Sequence, residues 1–127
     1  MPIKNVPGGS QDVTLRRWRV MEVEVQSGNR SRHVWGHDVK NGLGRASSPI
    51  MAFDPDAMTA TTRSGRNYKL VGLPGNSRLG KSAWHSWCRD NEVVLQLDVT
   101  NEYFNVDQLS TVELVKINSS VDREDDL

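Results

Sequence analysis

Apolar and polar residues alternate along much of this chain in short runs separated by turn residues. From Trp18, one parity carries Trp18 and Val20, continuing into Glu22 and Glu24. The other carries Met21, Val23 and Val25. The alternation is imperfect, but the β-branched content makes the segment a strand. Ser27-Gly28-Asn29-Arg30 supplies turn chemistry before a second strand at His33–Val39, and Asn41-Gly42 suits the tight reversal after it because both residues tolerate positive φ. Ser48–Phe53 is a third apolar run, stopped by Asp54-Pro55-Asp56. A Thr-rich stretch from Met58 to Arg63 follows, then a turn or bulge at Ser64-Gly65. In the next segment Tyr68, Leu70 and Gly72 alternate with Asn67, Lys69 and Val71, as in a strand with one buried face.

One stretch changes period. Trp84, Trp87 and Cys88 fall at helical spacing, which predicts a short helix over 82–90 with Ser82 as its cap and Asn91 closing it. Val93–Val99 is the strongest strand signal. Thr111–Ile117 reads as a further strand, although Asp107-Gln108-Leu109 before it could form a helical turn. Strand follows strand across turn-sized gaps, so β-α-β layering is not expected. The pattern predicts a mainly β fold: a small antiparallel barrel or strongly curved sheet with one short helix.

The ends look different from the middle. Residues 1–14 hold Pro2, Pro7, Gly8 and Gly9 among isolated apolar residues, and 119–127 are rich in Asp and Glu. Neither end can bury enough to offset ordering entropy, so a flexible arm (1–14), one β-rich domain (15–118) and a disordered acidic tail (119–127) are expected. The hydrophobic fraction of 36% allows a modest core. No apolar run is long enough to span a bilayer, no signal-peptide core follows Met1, and the single Cys88 forms no internal disulfide. These features point to a cytoplasmic protein without membrane contact.

Formal net charge is zero, yet residues 1–91 contain 14 Lys and Arg against 7 Asp and Glu, while residues 92–127 contain 2 against 9. A basic body with an acidic end suits a nucleic-acid surface or an interaction tail, or else a solvated surface of interspersed signs. Basic residues lie close to aromatics at Arg16, Arg17, Trp18 and Arg19, at Arg30, Arg32 and Trp35, and at Arg63, Arg66, Tyr68 and Lys69. On one sheet face they would hold phosphates and stacked bases; alternation could equally put the aromatics in the core and the arginines in solvent. Arg16, Arg17, Arg19, Arg63, Arg66 and Lys69 are the candidate nucleic-acid contacts.

Gly75 to Ser82 matches the phosphate-loop pattern G-x-x-x-x-G-K-[ST] at every fixed position. Gly75 and Gly80 would let backbone N–H groups curl around an anion, Lys81 would reach its terminal oxygens, Ser82 would hold magnesium, and Asp98 would be the metal-side carboxylate. Its surroundings are wrong for that chemistry. The strand before it alternates where a buried parallel strand would be continuously apolar, and too little chain follows for a doubly wound sheet. A strand-to-helix connection is the preferred reading, with nucleotide binding the alternative.

Other chemistry is weaker. His33 and His37 with His85 and Cys88 are zinc-type ligands, but residues four apart on a strand sit about 13 Å from one another. Cys88 beside His85 has the elements of a dyad, and Ser47, Ser48 and Ser64 are available hydroxyls, yet no glycine elbow or supporting carboxylate accompanies them. No catalytic residue, metal or cofactor is assigned.

Arg45-Ala46-Ser47-Ser48-Pro49-Ile50, Phe53-Asp54, Thr62 to Leu70, Gly72-Leu73-Pro74-Gly75 and Trp84-x-x-Trp87-Cys88 together resemble small uncharacterised proteins of bacteriophages and integrated mobile elements, over residues 18–103. The resemblance is carried by Ser-Gly-Arg-x-Tyr-x-Leu and Trp-x-x-Trp-Cys, not by the Gly-Lys-Ser stretch, and implies no activity. The expected function is that of a small non-enzymatic accessory protein binding nucleic acid or a protein partner, with a virion structural role as a further alternative.

Overall fold

The computed structural model describes residues 12–104. The expected arm up to residue 11, the strand or helical turn at 106–117 and the acidic tail lie outside the described residues. The elements in chain order are β1 (Asp12–Val25), β2 (Arg30–Asp38), β3 (Leu43–Ala46), β4 (Ile50–Asp54), β5 (Thr59–Thr62), β6 (Asn67–Val71), α1 (Arg78–Asp90), β7 (Val93–Asp98) and a 3-10 turn at Thr100–Glu102. The strands form one seven-stranded sheet in the order β3-β2-β1-β6-β5-β4, with β7 also paired to β1.

β1 is the axis of this sheet. It starts at Asp12, so residues 12–14 belong to a strand where a flexible arm was expected. Residue 12 onward pairs in parallel with β6, from Asp12 opposite Asn67 to Arg16 opposite Val71. The sheet is therefore mixed, which corrects the expectation of a purely antiparallel one. Between Arg16 and Arg19 the register with β2 slips by one residue, and Arg17 takes φ 51°. This bulge bends β1 and switches the buried parity from Val13 and Leu15 to Trp18 and Val20. The imperfect alternation after Trp18 has another cause: Val20 is buried with Trp18 in one cluster, whereas Val23, with Met21 packed beside it, is buried in the other with Trp35 and Trp84.

The edge of β1 away from β2 is satisfied by four partners in succession. β6 takes residues 12–16. At the bulge, the Gly75 and Ser77 N–H groups donate to the Trp18 and Arg17 carbonyls (3.1 and 3.2 Å). Val20 exchanges bonds with Val99 N–H (2.9 Å) and the Thr100 hydroxyl (3.0 Å). β7 pairs antiparallel with Met21 to Val25. Buried backbone donors and acceptors need such partners, so the bulge dictates what must lie beside it.

The sheet curls without closing, so the barrel form of the prediction is not met. Its terminal strands, β3 and β4, would stand about 24 Å apart in a flat sheet of this order. They are joined only by Ser47-Ser48-Pro49, which allows Cα separation of at most about 15 Å. Curling buries Val13, Leu15, Trp18, Val20, Val34, Ala60, Tyr68 and Leu70 on the concave side, with Phe53 and Tyr103 edge-to-face at 4.9 Å over the opening.

Helix α1 lies on the other face, against β2 and β3. It begins at Arg78 with Ser77 as cap, its hydroxyl accepting from Gly80 N–H at 3.0 Å. The prediction of Ser82 as cap was thus five residues late, because the amphipathic signal of the two Trp residues starts inside the helix. Asn91 closes it as expected, donating from its side chain to the Trp87 carbonyl at 2.9 Å. The first turn rests backbone on backbone: a Cβ at Gly80 would come 2.7 Å from Gly36, one at Gly36 would come 2.9 Å from the Arg16 carbonyl, and one at Gly44 would overlap the Leu79 carbonyl. β3, which holds Gly44, was not expected from sequence; four residues of mixed polarity carry no readable period.

Gly80→Ala is expected to destabilise the protein by ~1–3 kcal/mol through overpacking, although Ala exceeds Gly in helix propensity by about 1 kcal/mol. Ser77→Ala should cost about 1 kcal/mol, and Ser82→Ala, on the exposed face, should stay within about 0.5 kcal/mol. Urea midpoints for the three variants provide the check.

Candidate functional site

Ser31 and His33 are two residues apart on β2 and so share one face of the strand. Ser31 Oγ lies 2.7 Å from His33 Nε2, and His33 Nδ1 lies 2.8 Å from the Ser47 carbonyl oxygen. A carbonyl only accepts, so Nδ1 carries the proton and Nε2 presents its lone pair to the Ser31 hydroxyl. Ser47 itself is held rigidly: its N–H donates to the Val34 carbonyl at 2.9 Å, and its hydroxyl accepts from Val34 N–H and donates to the Ser48 carbonyl.

His33 is fully buried. Burial holds its pKa below the ordinary value; the Ser47 carbonyl partly opposes this and the positive charge of Arg63 reinforces it. The Trp84 and Trp87 rings stack at 5.2 Å with 4° between planes, and the imidazole sits 4.2 Å from Trp87. An open cleft of about 460 Å³ adjoins this group, lined among others by Ser31, His33, Pro49, Arg63, Trp87 and Asn91. The main chain of Arg63 is fixed there by its backbone N–H, which donates to the Pro49 carbonyl (2.8 Å).

The six expected nucleic-acid contacts do not form one surface with aromatics. Trp18, Trp35 and Tyr68 are core residues, at 0%, 4% and 2% exposure. Arg16 stands opposite His37 and Val71 in β1, Arg17 occupies the bulge, and Lys69 is exposed on β6 opposite Thr14 and Thr59. Arg63 and Arg66 belong to the β5–β6 connection, and only Arg63 lines the cleft. Arg19 pairs with Asp98 at 3.3 Å. Among the other basic residues near aromatics, Arg30 meets Glu22 and Glu24, and Arg32 meets Glu22 and Glu102. Three of these five pairs join β1 to its neighbour β2, and two reach Asp98 and Glu102 in the acidic end of the chain.

The Gly75–Ser82 segment is occupied structurally. Gly75 and Ser77 donate to the β1 bulge, while the N–H groups of Gly80 and Lys81 donate to Ser77. Four of the donors that a phosphate cradle would present are thus already used. Gly75 faces Arg17, where a Cβ would come within 3.0 Å, and Gly80 faces Gly36. Lys81 and Ser82 are exposed, and Asp98 is engaged by Arg19 and by Thr100 N–H. This geometry lends the nucleotide alternative no support.

His33 and His37 are not brought together by a turn: His33 bonds Ser31 and Ser47, and His37 stands beside Arg16 in the ladder. Among the described residues no group of three or more His, Cys, Asp or Glu is placed to share a metal. The Cys88 thiol is pushed up to about 11 by burial, which keeps it protonated at neutral pH and unsuited to attack. Sequence reading singled out Ser47, Ser48 and Ser64 and missed Ser31. The Ser-x-His spacing on a strand was the available signal.

No family model, curated protein or solved structure matches the chain. Among the described residues no helix is long and apolar enough to cross a membrane.

Two buried groups set the acid response. His33 has a lowered folded pKa, so its contribution is complete above its ordinary 6.5 and declines as pH falls below it. Asp38 is raised by burial, but bonds from Asn41 and Arg45 prevail and hold it below its ordinary 3.8, so its contribution is lost at still lower pH. Melting temperature should fall between pH 7.5 and 5. In His33→Gln that slope should flatten, while the steeper loss below pH 4 should remain.

Proposed function

We propose that the protein is a small accessory protein that acts by binding another protein, taking an extended segment of its partner as an added strand along β7. The observation that supports this is where apolar surface is left exposed. Among the described residues seven large hydrophobics stand exposed, and three of them, Val94, Leu95 and Leu97, fall in the six residues of β7 at 53%, 59% and 61%. Sheet edges in soluble proteins are ordinarily blunted by Lys, Pro or inward charge. β7 has none of these, and its one charge, Asp98, is tied to Arg19. A register shift near Val94 twists the start of the strand, leaving Leu95 to Asp98 as its regular part.

The edge is firmly mounted. β7 pairs with β1, and Gln96 accepts a hydrogen bond from Trp84 Nε1 at 2.9 Å, anchoring the strand to α1. On the other face Leu95 and Leu97 line a groove of about 240 Å³ whose wall is Glu22, Glu24 and Arg30. An incoming strand would gain main-chain hydrogen bonds from the edge and place alternate apolar side chains against these leucines. The nucleic-acid form of the reading has less support, since the aromatics are buried and most nearby arginines are paired. The phage or mobile-element origin rests on the resemblance alone.

Peptides selected from a displayed random library against the full-length protein should alternate apolar and polar residues and bind at β7. Leu95→Lys with Leu97→Lys should weaken them at least ~10-fold, a loss of about 1.4 kcal/mol. Tight, steeply salt-dependent binding of oligothymidine with no β7-dependent peptide would favour nucleic acid instead. Concentration-dependent self-association abolished by the same two substitutions would place a second copy of the chain on the edge.

A further inference from the structure

The geometry points to a second, separate activity: Ser31 is a nucleophile, His33 its general base and the Ser47 carbonyl the group that orients that base, and the adjoining cleft takes small esters bearing an anionic group. Three observations carry this. The hydrogen bonds run in one direction, Ser31 Oγ to His33 Nε2 at 2.7 Å and His33 Nδ1 to the Ser47 oxygen at 2.8 Å. A nucleophile needs that arrangement, a base within reach of its hydroxyl and a third group fixing the base's tautomer. A peptide carbonyl serves the third role without a charge.

The second observation is access. His33 is fully buried beside the Trp rings yet borders the cleft, and Ser31, half-buried, opens on the same cleft. Substrate and water therefore reach the hydroxyl from the side on which the base lies. The third is charge. Arg19, Arg30, Arg32 and Arg45 all meet carboxylates, whereas among the described residues Arg63, on the same cleft, meets none. A guanidinium without a carboxylate partner, lining the same cleft as the hydroxyl, attracts an anionic substituent of the substrate.

In the reaction, Ser31 Oγ attacks the ester carbonyl carbon while its proton passes to His33 Nε2. The carbon–oxygen bond to the alcohol breaks, and the alcohol leaves with that proton. Water then attacks the acyl-serine, again giving its proton to Nε2, and releases the acid as Ser31 recovers its hydrogen. The net change is ester plus water to acid plus alcohol. No oxidant, metal or further reactant is needed.

The test uses the full-length protein with a fluorophosphonate probe, p-nitrophenyl acetate and p-nitrophenyl hemisuccinate. Peptide mapping should find the label on Ser31, and both esters should be hydrolysed above the buffer rate. Ser31→Ala should abolish labelling and lower hydrolysis by ~100-fold or more in protein that still folds, with a melting temperature lowered by the loss of the Ser31–His33 bond. Ser48→Ala should retain both. Arg63→Gln should raise KM for the hemisuccinate and leave that for the acetate unchanged. Absence of labelling and turnover in folded wild-type protein, a label elsewhere, label without turnover, or activity surviving in folded Ser31→Ala would each overturn the assignment. Should Ser31→Ala fail to fold, the mapped position of the label on the wild-type protein decides.

Discussion

The extra residue at Arg17 governs much of this fold. A bulge in the middle of a 14-residue strand leaves its edge unable to keep one partner throughout, and buried peptide groups do not go unpaired without cost. β6 therefore stops at Arg16, β7 starts at Met21, and the chain between β6 and α1 is drawn into the gap. That last step sets where the helix begins. Once Ser77 is bonded to Arg17, the next turn of chain must lie directly over β2 and β3, and only glycine at positions 36, 44 and 80 permits the approach.

The Gly-x-x-x-x-Gly-Lys-Ser pattern takes on a structural meaning in this light. Its two glycines and Ser77 within it serve contacts between backbones, and its lysine projects into solvent. The residue types that favour an anion cradle, small and free of Cβ crowding, are the types that favour close packing of a helix start on a sheet. The pattern alone does not distinguish the two. The destination of the N–H groups does.

The period-2 signal of β6 and the helical spacing of the Trp residues were legible because each is a local property of side-chain burial. The parallel pairing of β1 with β6 was not, since partner choice along an edge depends on the bulge and on segments more than fifty residues away. The apolar run of β7 illustrates the limit from the other side. It reads as the most hydrophobic strand, yet much of its apolar surface faces outward. Hydrophobicity marked the strand correctly and said nothing about its depth. The candidate site divides likewise: Arg63 was picked by charge and lines the cleft, whereas the Ser31–His33 pair depends on the distant carbonyl of Ser47 for its direction.

The link Ser47-Ser48-Pro49 works as a ruler. Because it ties the two terminal strands of the sheet, its length limits how far the curl can relax, and the same three residues supply the histidine's acceptor and one wall of the cleft. The curvature of the core and the aim of the imidazole are therefore mechanically coupled. A substitution on the concave side that opens the sheet by an ångström would be felt at His33 without touching it, and natural variation in this core would be filtered by the alignment of a hydrogen bond on the opposite face.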